Sequence, residues 1–510
     1  MQPTTLKMYS KAHWLFNTAV IIAALFQVTL AKAEVPGITG PNFNLTASAD
    51  YSSQPDGAMI YSWGYGCTTA TGKCPGMQLP GPTLIVHEGD NVSVTLNNHL
   101  PVAAGNTSIV FSGFQVTATG GTGGLLTQEA TVGGAVTYTF TATKPGTYAY
   151  YSGSQSDLQV EMGLYGAVVV LPNTSQTGAG CTALNTPRPI QTTPSQTETD
   201  FRLAVSAYDH PDTCYDREYL FQFSEINSLV HDEVLKQVQG CTTAPCPEIA
   251  VTMEPYRPNY YLINGRSMPD LMDTSYSAMY PHQPYNANPH MHPGEKMLMR
   301  VVGQGRWQHP FHFHGNHARV LARDGNLILS NDNQNKLAGP LLFTIPTVSG
   351  QSVDAIFTWT GQGLNWDVYN GAKAHTCNGR DATQNGRSIF TTPASNYNPT
   401  SAGFDPVSHE YCPDHGKPIP VTPPDPQIVA NGQWYAGTPY LGVQTVNSGF
   451  NSTPLPPGTL NFNGGATEAG YAYMWHSHNE REITTNDVFP GGMMMMMIID
   501  PFTWLIDENL

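Results

Sequence analysis

Two histidine-rich segments carry the residues most able to do chemistry. His312 and His314 lie in the motif HPFHFHG, which begins at His309, and His476 and His478 flank a serine much later in the chain. Residues i and i+2 of a β-strand point to the same face, so each His-x-His pair presents two imidazoles in one direction. Imidazole is a good ligand for copper, zinc, iron or nickel. The two pairs therefore predict a metal site if the two segments are neighbouring strands.

The sequence around these segments is typical of β-structure. Its 510 residues include 49 Gly and 41 Pro, and only 12% are charged, a turn-rich composition. Segments such as FNLTASADYSS alternate apolar and polar residues, as half-buried strands do. GDNVSVTLNN in the first half has a counterpart in GEKMLMRVVG in the second. We therefore predict an all-β chain of tandem Greek-key β-sandwiches.

The composition along the chain predicts its division into domains. We expect a signal peptide over residues 1–33, a first sandwich over 34–172, a Thr/Pro-rich linker over 173–199 and a second sandwich over 200–510 that carries the histidines. A Gly/Asn/Pro-rich tract at about 370–467 is interpreted as a large insertion in the second sandwich. A separate small third domain is the alternative interpretation of that tract.

The first residues have the pattern of a secretory signal. Lys7 and Lys11 precede an apolar run, and Ala31-Lys32-Ala33 provides a small-x-small cleavage site. We expect a secreted, periplasmic or cell-surface protein. A membrane anchor is the alternative, but the apolar run is short and interrupted by polar residues. No later segment is apolar enough to cross a bilayer.

All eight cysteines lie beyond this segment. An even number of cysteines in an exported chain predicts up to four disulfides. We expect the pairs Cys67–Cys74, Cys241–Cys246, Cys181–Cys214 and Cys377–Cys412. Metal binding by these thiols is disfavoured, because no cysteine neighbours a histidine cluster.

The formal net charge of −16 at pH 7 restricts the partners. An acidic surface argues against nucleic acid or anionic lipid and is compatible with attracting cations. A small-molecule or metal-ion reductant is compatible with the sequence, which does not identify it.

Several motifs together resemble the multicopper oxidase family. They are LPGPTLIVHEGD, GLYGAVVV, YLING, HPFHFHGNHARVLARDG and the late His-x-His with its trailing GGM. The resemblance covers most of the chain apart from the proposed insertion, and HPFHFHG is its most specific part. It implies cupredoxin domains in which electrons pass from a type 1 copper to a trinuclear copper cluster that reduces dioxygen to water.

Carried over by position, the resemblance implies a role for each histidine. His312 would be the type 2 ligand, and His309 would be a type 1 ligand. The type 3 ligands would be His314, His476 and His478.

The same motifs depart from the family at decisive positions. Ser477 stands where the family has the type 1 cysteine, and Glu482 stands where it has a further histidine. A blue copper centre needs a thiolate, so we expect the type 1 site to be absent. In the first half, the segments 110–113 and 150–153 replace the two histidine motifs. A trinuclear cluster within one chain would therefore lack half of its ligands.

Two functions remain after these losses. The first is a secreted copper-binding oxidoreductase with a reduced, non-blue copper site, and the second is a non-catalytic copper-binding or structural scaffold. Copper is the expected metal, with zinc possible. The expected ligands are His312, His314, His476 and His478, with His309 less favoured. Association of two copies that face their histidines together is a further hypothesis.

Three features near the site have a structural and a chemical interpretation. Glu480, Glu482 and Asp487 are expected in a solvated turn rather than around a metal. Met493–Met497 are expected to form a closing strand with alternate methionines packed inside, and Cu(I) binding is the alternative. The pair at positions 290 and 292, His-Met-His, is expected to be exposed.

Overall fold

The computed structural model describes ten parts of the chain, which are residues 35–173, 181, 202–364, 404, 409–411, 413, 433, 437–440, 470–500 and 506. β-strands dominate these residues, and the prediction of an all-β chain of tandem sandwiches is confirmed. The expected signal peptide and almost all of the expected linker and insertion lie outside the described residues. The boundaries of the domains therefore remain predictions.

Two sheets form between residues 38 and 171, in the order β1-β4-β12-β11-β6 and β3-β2-β5-β10-β7, with β8 and β9 as a separate hairpin. The strands of this half are β1 (Ile38–Thr39), β2 (Asn42–Ser53), β3 (Met59–Cys67), β4 (Leu84–His87), β5 (Asn91–Asn98), β6 (Val110–Phe111), β7 (Thr117–Gly120), β8 (Thr122–Gly123), β9 (Gln128–Glu129), β10 (Ala135–Thr141), β11 (Gly146–Tyr151) and β12 (Tyr165–Leu171). Alternate residues of β5 are buried, as the sequence pattern predicts.

Two further sheets form from residue 217 onwards. One has the order β14-β13-β16-β22-β18-β19, with β20 beside β18, and the other has the order β15-β25-β24-β17-β21, with β23 beside β24. The strands are β13 (Arg217–Ile226), β14 (Tyr260–Ile263), β15 (His290–Met291), β16 (Lys296–Gly303), β17 (His309–Phe313), β18 (Ala318–Arg323), β19 (Asn326–Leu327), β20 (Leu341–Leu342), β21 (Thr344–Thr347), β22 (Ser352–Thr358), β23 (Gly437–Tyr440), β24 (Gly470–Ser477) and β25 (Met494–Ile499). One apolar core lies between these sheets and another lies between the sheets of the first half.

Helices are short and peripheral. The described α-helices are α1 (Ser156–Gln159) and α2 (Ser228–Gly240), and the described 3₁₀ turns are Val102–Ala104, Pro211–Thr213, Asp270–Met272 and Glu480–Ile483. The side chain of Asn227 caps α2 by accepting a hydrogen bond from the amide of Leu229 at 3.2 Å. Val230 and Val234 of α2 pack into the core of the first half, so this helix joins the two halves.

A buried polar network also holds the two halves together. Arg300 on β16 donates to Glu218 at 2.9 Å and to the hydroxyl of Thr147 on β11 at 3.1 Å. The same hydroxyl donates to Asp354 on β22 at 2.7 Å. Because these groups are buried, removing any one of them would leave an uncompensated charge or dipole.

Three of the predicted disulfides are present, and they are Cys67–Cys74, Cys181–Cys214 and Cys241–Cys246. Cys377 and Cys412 lie outside the described residues, so that pairing stays a prediction. Within the described part of the chain, no helix is both long and apolar enough to cross a bilayer.

Candidate metal centre

The two histidine segments are neighbouring strands. β17 and β24 pair antiparallel, with His312 opposite His476 and Phe313 opposite Trp475. Phe313 and Trp475 point into the core with no exposed surface. Because successive residues of a strand alternate between faces, His312 and His476 are directed to the opposite face. The alternation of side chains along both strands therefore positions the imidazoles.

Four imidazoles come together at this strand pair. One ligand atom from each of His312, His314 and His476 lies within 4.8 Å of the others, and all three side chains are buried. Ring centroids are 4.8 Å apart for His312 and His314, and 5.1 Å apart for His314 and His476. His478 lies 4.8 Å from His312 by the same measure and is exposed. The structure thus brings the four predicted ligands together, with His478 as the solvent-facing member.

Hydrogen bonds orient two of the rings. Nδ1 of His312 lies 2.8 Å from the hydroxyl of Thr344, and Nδ1 of His476 donates to the carbonyl of Ser477 at 2.7 Å. In each ring Nε2 is then the nitrogen through which a metal would be bound. Nε2 of His476 lies 3.3 Å from Nε2 of His314. Two nitrogens bound to one ion at about 2 Å with a tetrahedral angle are roughly 3.3 Å apart, so the donor set fits a single ion.

The protonation of the cluster also suits a metal. Burial, together with the neighbouring rings of His476 and His478, lowers the pKa of His312 to about 4. Burial likewise lowers the pKa of His476. These imidazoles are neutral at neutral pH, which is the form that binds metal ions.

His309 lies outside this group and has a different environment. Its Nδ1 is 2.9 Å from Glu482 Oε2 and its Nε2 is 3.0 Å from Glu225 Oε2, with all three side chains buried. Burial alone would lower the pKa of His309, but the hydrogen bonds and charges of the two carboxylates raise it to about 9. His309 is therefore an imidazolium that donates from both nitrogens, and we do not propose it as a ligand.

Ser477 and Glu482 belong to the same network. The Ser477 hydroxyl donates to Glu482 Oε2, and the side-chain amide of Asn479 donates to Glu482 Oε1 at 2.8 Å. The expectation that Glu482 lies in a solvated turn is wrong, because its side chain is buried, whereas Glu480 and Asp487 are exposed as expected. The residues that stand for a cysteine and a histidine of the family thus contact each other.

Glu225 is a site residue that the sequence analysis missed. It lies on β13, far from both histidine motifs, and accepts hydrogen bonds from the amides of Arg306 and Trp307 at 2.7 and 2.8 Å. No local signal distinguishes this glutamate in its strand. Its role depends entirely on the pairing of β13 with the rest of the second half.

Comparisons with known proteins relate part of the chain to one family. The sequence model of the multicopper oxidase family matches residues 66–175. A segment of 183 residues is 28% identical to laccase abr2 of Aspergillus fumigatus and covers 35% of this chain and 30% of that laccase. Part of the chain is therefore similar in sequence to multicopper oxidases.

Another multicopper oxidase is similar over a shorter segment of sequence, and a solved structure is similar over most of the chain. Multicopper oxidase MCE of Talaromyces pinophilus is 37% identical over 98 residues, which are 19% of this chain and 15% of that protein. The solved structure of the multicopper oxidase mgLAC is 15% identical, with a TM-score of 0.46 over 91% of this chain and 87% of that one. The matched segments span less than a third of each of these two curated relatives. Similarity to multicopper oxidases favours copper over zinc as the metal.

The first half of the chain has an aromatic core where the second has histidines. Phe111 on β6 pairs with Tyr150 on β11, with ring centroids 5.8 Å apart, and both side chains are buried. The Tyr150 hydroxyl donates to the carbonyl of Pro82 at 2.7 Å. Among the described residues, the histidine group on β17 and β24 is the only set of three or more side chains that could hold a metal ion.

Of the two remaining sequence predictions near the site, one is confirmed and the other is partly wrong. Met493, Met495 and Met497 pack in the core, which confirms a closing strand with alternate methionines inside. The expectation that the His-Met-His pair is exposed is wrong for His292, which is buried and donates from Nδ1 to the carbonyl of Asp500 at 2.8 Å. His290 is partly buried, with Nδ1 2.6 Å from the Asp500 carboxylate.

Proposed function

We propose that this protein is an exported, copper-dependent oxidoreductase with a single non-blue copper site. The observation that carries the proposal is the group of three buried imidazoles, His312, His314 and His476, whose ligand atoms lie within 4.8 Å of one another. The exposed ring of His478 completes the set on the solvent side. A copper ion held there would supply one-electron redox chemistry and Lewis acidity.

The chain itself provides orientation and access at this site. Thr344 and the carbonyl of Ser477 fix the rings of His312 and His476. Phe343, about half exposed, lies against His312 with ring centroids 5.6 Å apart. A substrate would approach from this side, because His478 and Phe343 are the solvent-exposed groups next to the cluster.

The absence of a blue centre is proposed from the chemistry of Ser477. A type 1 copper needs a thiolate, and a serine hydroxyl that donates to Glu482 is a poor copper ligand. Without that relay, and with aromatic residues at Phe111 and Tyr150, electrons would enter and leave at one centre. The reductant would therefore contact the same copper as the oxidant.

Export is part of the proposal. Three disulfides in the described residues are typical of an oxidising compartment. The pattern of residues 1–33 predicts the signal that would direct the chain there.

Metal counting and spectroscopy test this function. The mature chain, loaded with Cu(II) and desalted, is expected to retain about one copper, to show an EPR signal and to lack a strong blue band. Oxygen consumption is then measured with a phenol or Mn²⁺ as reductant. His312→Ala is expected to abolish copper retention and oxygen consumption, whereas His317→Ala, in the same loop but outside the cluster, should preserve both.

Three other results would contradict parts of the proposed function. One retained copper without oxygen consumption for any reductant would favour a copper-binding scaffold over an enzyme. Copper retention that survives His312→Ala and His476→Ala together would contradict the site itself. An intense blue band would contradict the interpretation of Ser477.

A further inference from the structure

A trough with cationic walls lies on the outer face of the larger sheet in the second half. Strands β16, β22 and β18 form its floor, and the loops on either side form its walls. The cavity has a volume of about 670 Å³, within the range of roughly 300–1,000 Å³ typical of small-molecule sites. We call it the basic trough and define it by Lys296, Arg319, Leu321, Lys336, Leu337 and Ile356.

The charge of the basic trough is opposite to that of the chain. The net charge is −16, yet Lys296, Arg319 and Lys336 all line this cavity. Asp212 is the acidic residue on its wall. The trough therefore has a local excess of positive charge in a chain that is acidic overall. This excess would attract an anion.

These three cations differ from several cations elsewhere in the described residues. Arg217, Arg300 and Arg306 each lie within 4.0 Å of a carboxylate oxygen. No such ion pair is made by a trough cation with a carboxylate in the described residues. The Arg319 guanidinium donates to the carbonyl of Gly339 at 2.8 Å, which fixes its position without neutralising its charge. An oriented and unneutralised guanidinium is well suited to a carboxylate.

The rest of the basic trough is apolar. Leu321, Leu337 and Ile356 belong to one small apolar cluster beneath it. In the sheet, Ile356 is paired with Arg319, so the apolar floor lies beside the guanidinium. A ligand here would need both an anionic group and an apolar body.

We propose that the basic trough binds a small organic carboxylate. Its carboxylate contacts Arg319 and the ammonium groups of Lys296 and Lys336, and its apolar body packs on the aliphatic floor. The site is separate from the histidine cluster and does not depend on bound copper. His317 on the trough wall lies against Phe343, and Phe343 lies against His312, with ring centroids 5.0 and 5.6 Å apart. The two sites therefore share one aromatic neighbour.

Calorimetry with two naphthalene probes and inorganic phosphate tests the charge and the apolar requirement separately. The full mature chain is titrated, with and without copper, with 2-naphthoate, with neutral 2-naphthamide and with inorganic phosphate. We expect 2-naphthoate to bind with about tenfold or greater preference over the amide, because charge-assisted hydrogen bonds are worth about 1.5–3 kcal/mol. Its affinity should fall as NaCl is raised.

Lys336→Gln is the principal variant. The Lys336 side chain is exposed and makes no hydrogen bond or ion pair with described residues, so the fold should tolerate the change. Its dissociation constant for 2-naphthoate should rise about tenfold, and Arg319→Gln should raise it further. Arg323→Gln, at the exposed end of the same strand and outside the trough, is the matched control and should leave it unchanged.

Three outcomes would overturn the proposal. They are equal affinity for the amide and the carboxylate, tighter binding of phosphate than of 2-naphthoate, and unchanged binding in Lys336→Gln. Loss of 2-naphthoate binding in His312→Ala would assign the ligand to the histidine cluster instead. Matching thermal midpoints of the variants and the parent show that a lost affinity is not a lost fold.

Discussion

Glu482 accepts a hydrogen bond from Nδ1 of His309 at 2.9 Å, across 173 residues of sequence. Both side chains are buried, and Glu225 holds the other ring nitrogen. By the resemblance to multicopper oxidases, His309 would be a type 1 copper ligand, Ser477 stands for the type 1 cysteine, and Glu482 stands for a further histidine. The three positions that would surround a metal cation instead form a hydrogen-bonded network whose cation is the imidazolium of His309.

Breaking this network should be costly, because it would leave a buried charge without its partner. Glu482→Gln is expected to reduce the free energy of unfolding by about 3–5 kcal/mol. Urea unfolding followed by tryptophan fluorescence measures the change. Glu480→Gln, two residues earlier and exposed, is the control and should change stability by less than about 0.5 kcal/mol. Equal effects of the two substitutions would show that Glu482 is not part of a stabilising network.

The pH dependence of stability follows from the raised pKa of His309. This pKa is about 9 in the folded state, and an unfolded histidine titrates near 6.5. The stabilisation is fully present below about pH 6.5 and is lost as the pH rises to about 9, because the folded state binds the additional proton. His309→Gln should flatten the decrease between pH 7 and pH 9 in urea midpoints. If the urea midpoint of the variant decreases as steeply as that of the parent, the titration of another group causes the decrease.

The sequence predicted the two histidine pairs because that signal is local, whereas their convergence depends on the pairing of β17 with β24. His312 and His314, like His476 and His478, are two residues apart, so the strand period places each pair on one face. The alternation of Met493, Met495 and Met497 was predictable for the same reason. In both cases, each residue's own neighbours in sequence contain the information.

The partners of His309 were not predictable in this way. Glu225 and Glu482 are 84 and 173 residues from it, and a glutamate in a polar segment is normally solvated. His292 was misjudged for a similar reason, since the carbonyl it contacts belongs to Asp500. The basic trough likewise depends on which strands the sheet places side by side. Long-range pairing determined these environments, and no local pattern encodes it.

The aromatic core of the first half should stabilise the fold without affecting the metal. Phe111→Ala is expected to reduce the free energy of unfolding by about 3–5 kcal/mol, because it opens a cavity among buried rings. The copper content of the folded protein should not change. Phe489→Ala, which removes a side chain that is 65% exposed, should have little effect on either quantity. If the folded Phe111→Ala protein binds less copper than the parent, the first half contributes to the metal site.

Ser477→Cys alone should not create a blue copper centre. His309 would still be held by Glu225 and Glu482 as an imidazolium, so a cysteine at position 477 would lack histidine ligands beside it. Combining Ser477→Cys with Glu482→His removes the carboxylate on Nδ1 of His309 and completes a set of two histidines and one thiolate, as blue copper sites require. After Cu(II) addition, only the double variant should show an intense blue band. Glu482→His alone is the control for histidine binding without sulfur. A blue band in the single Ser477→Cys variant would show that Glu482 does not keep His309 protonated.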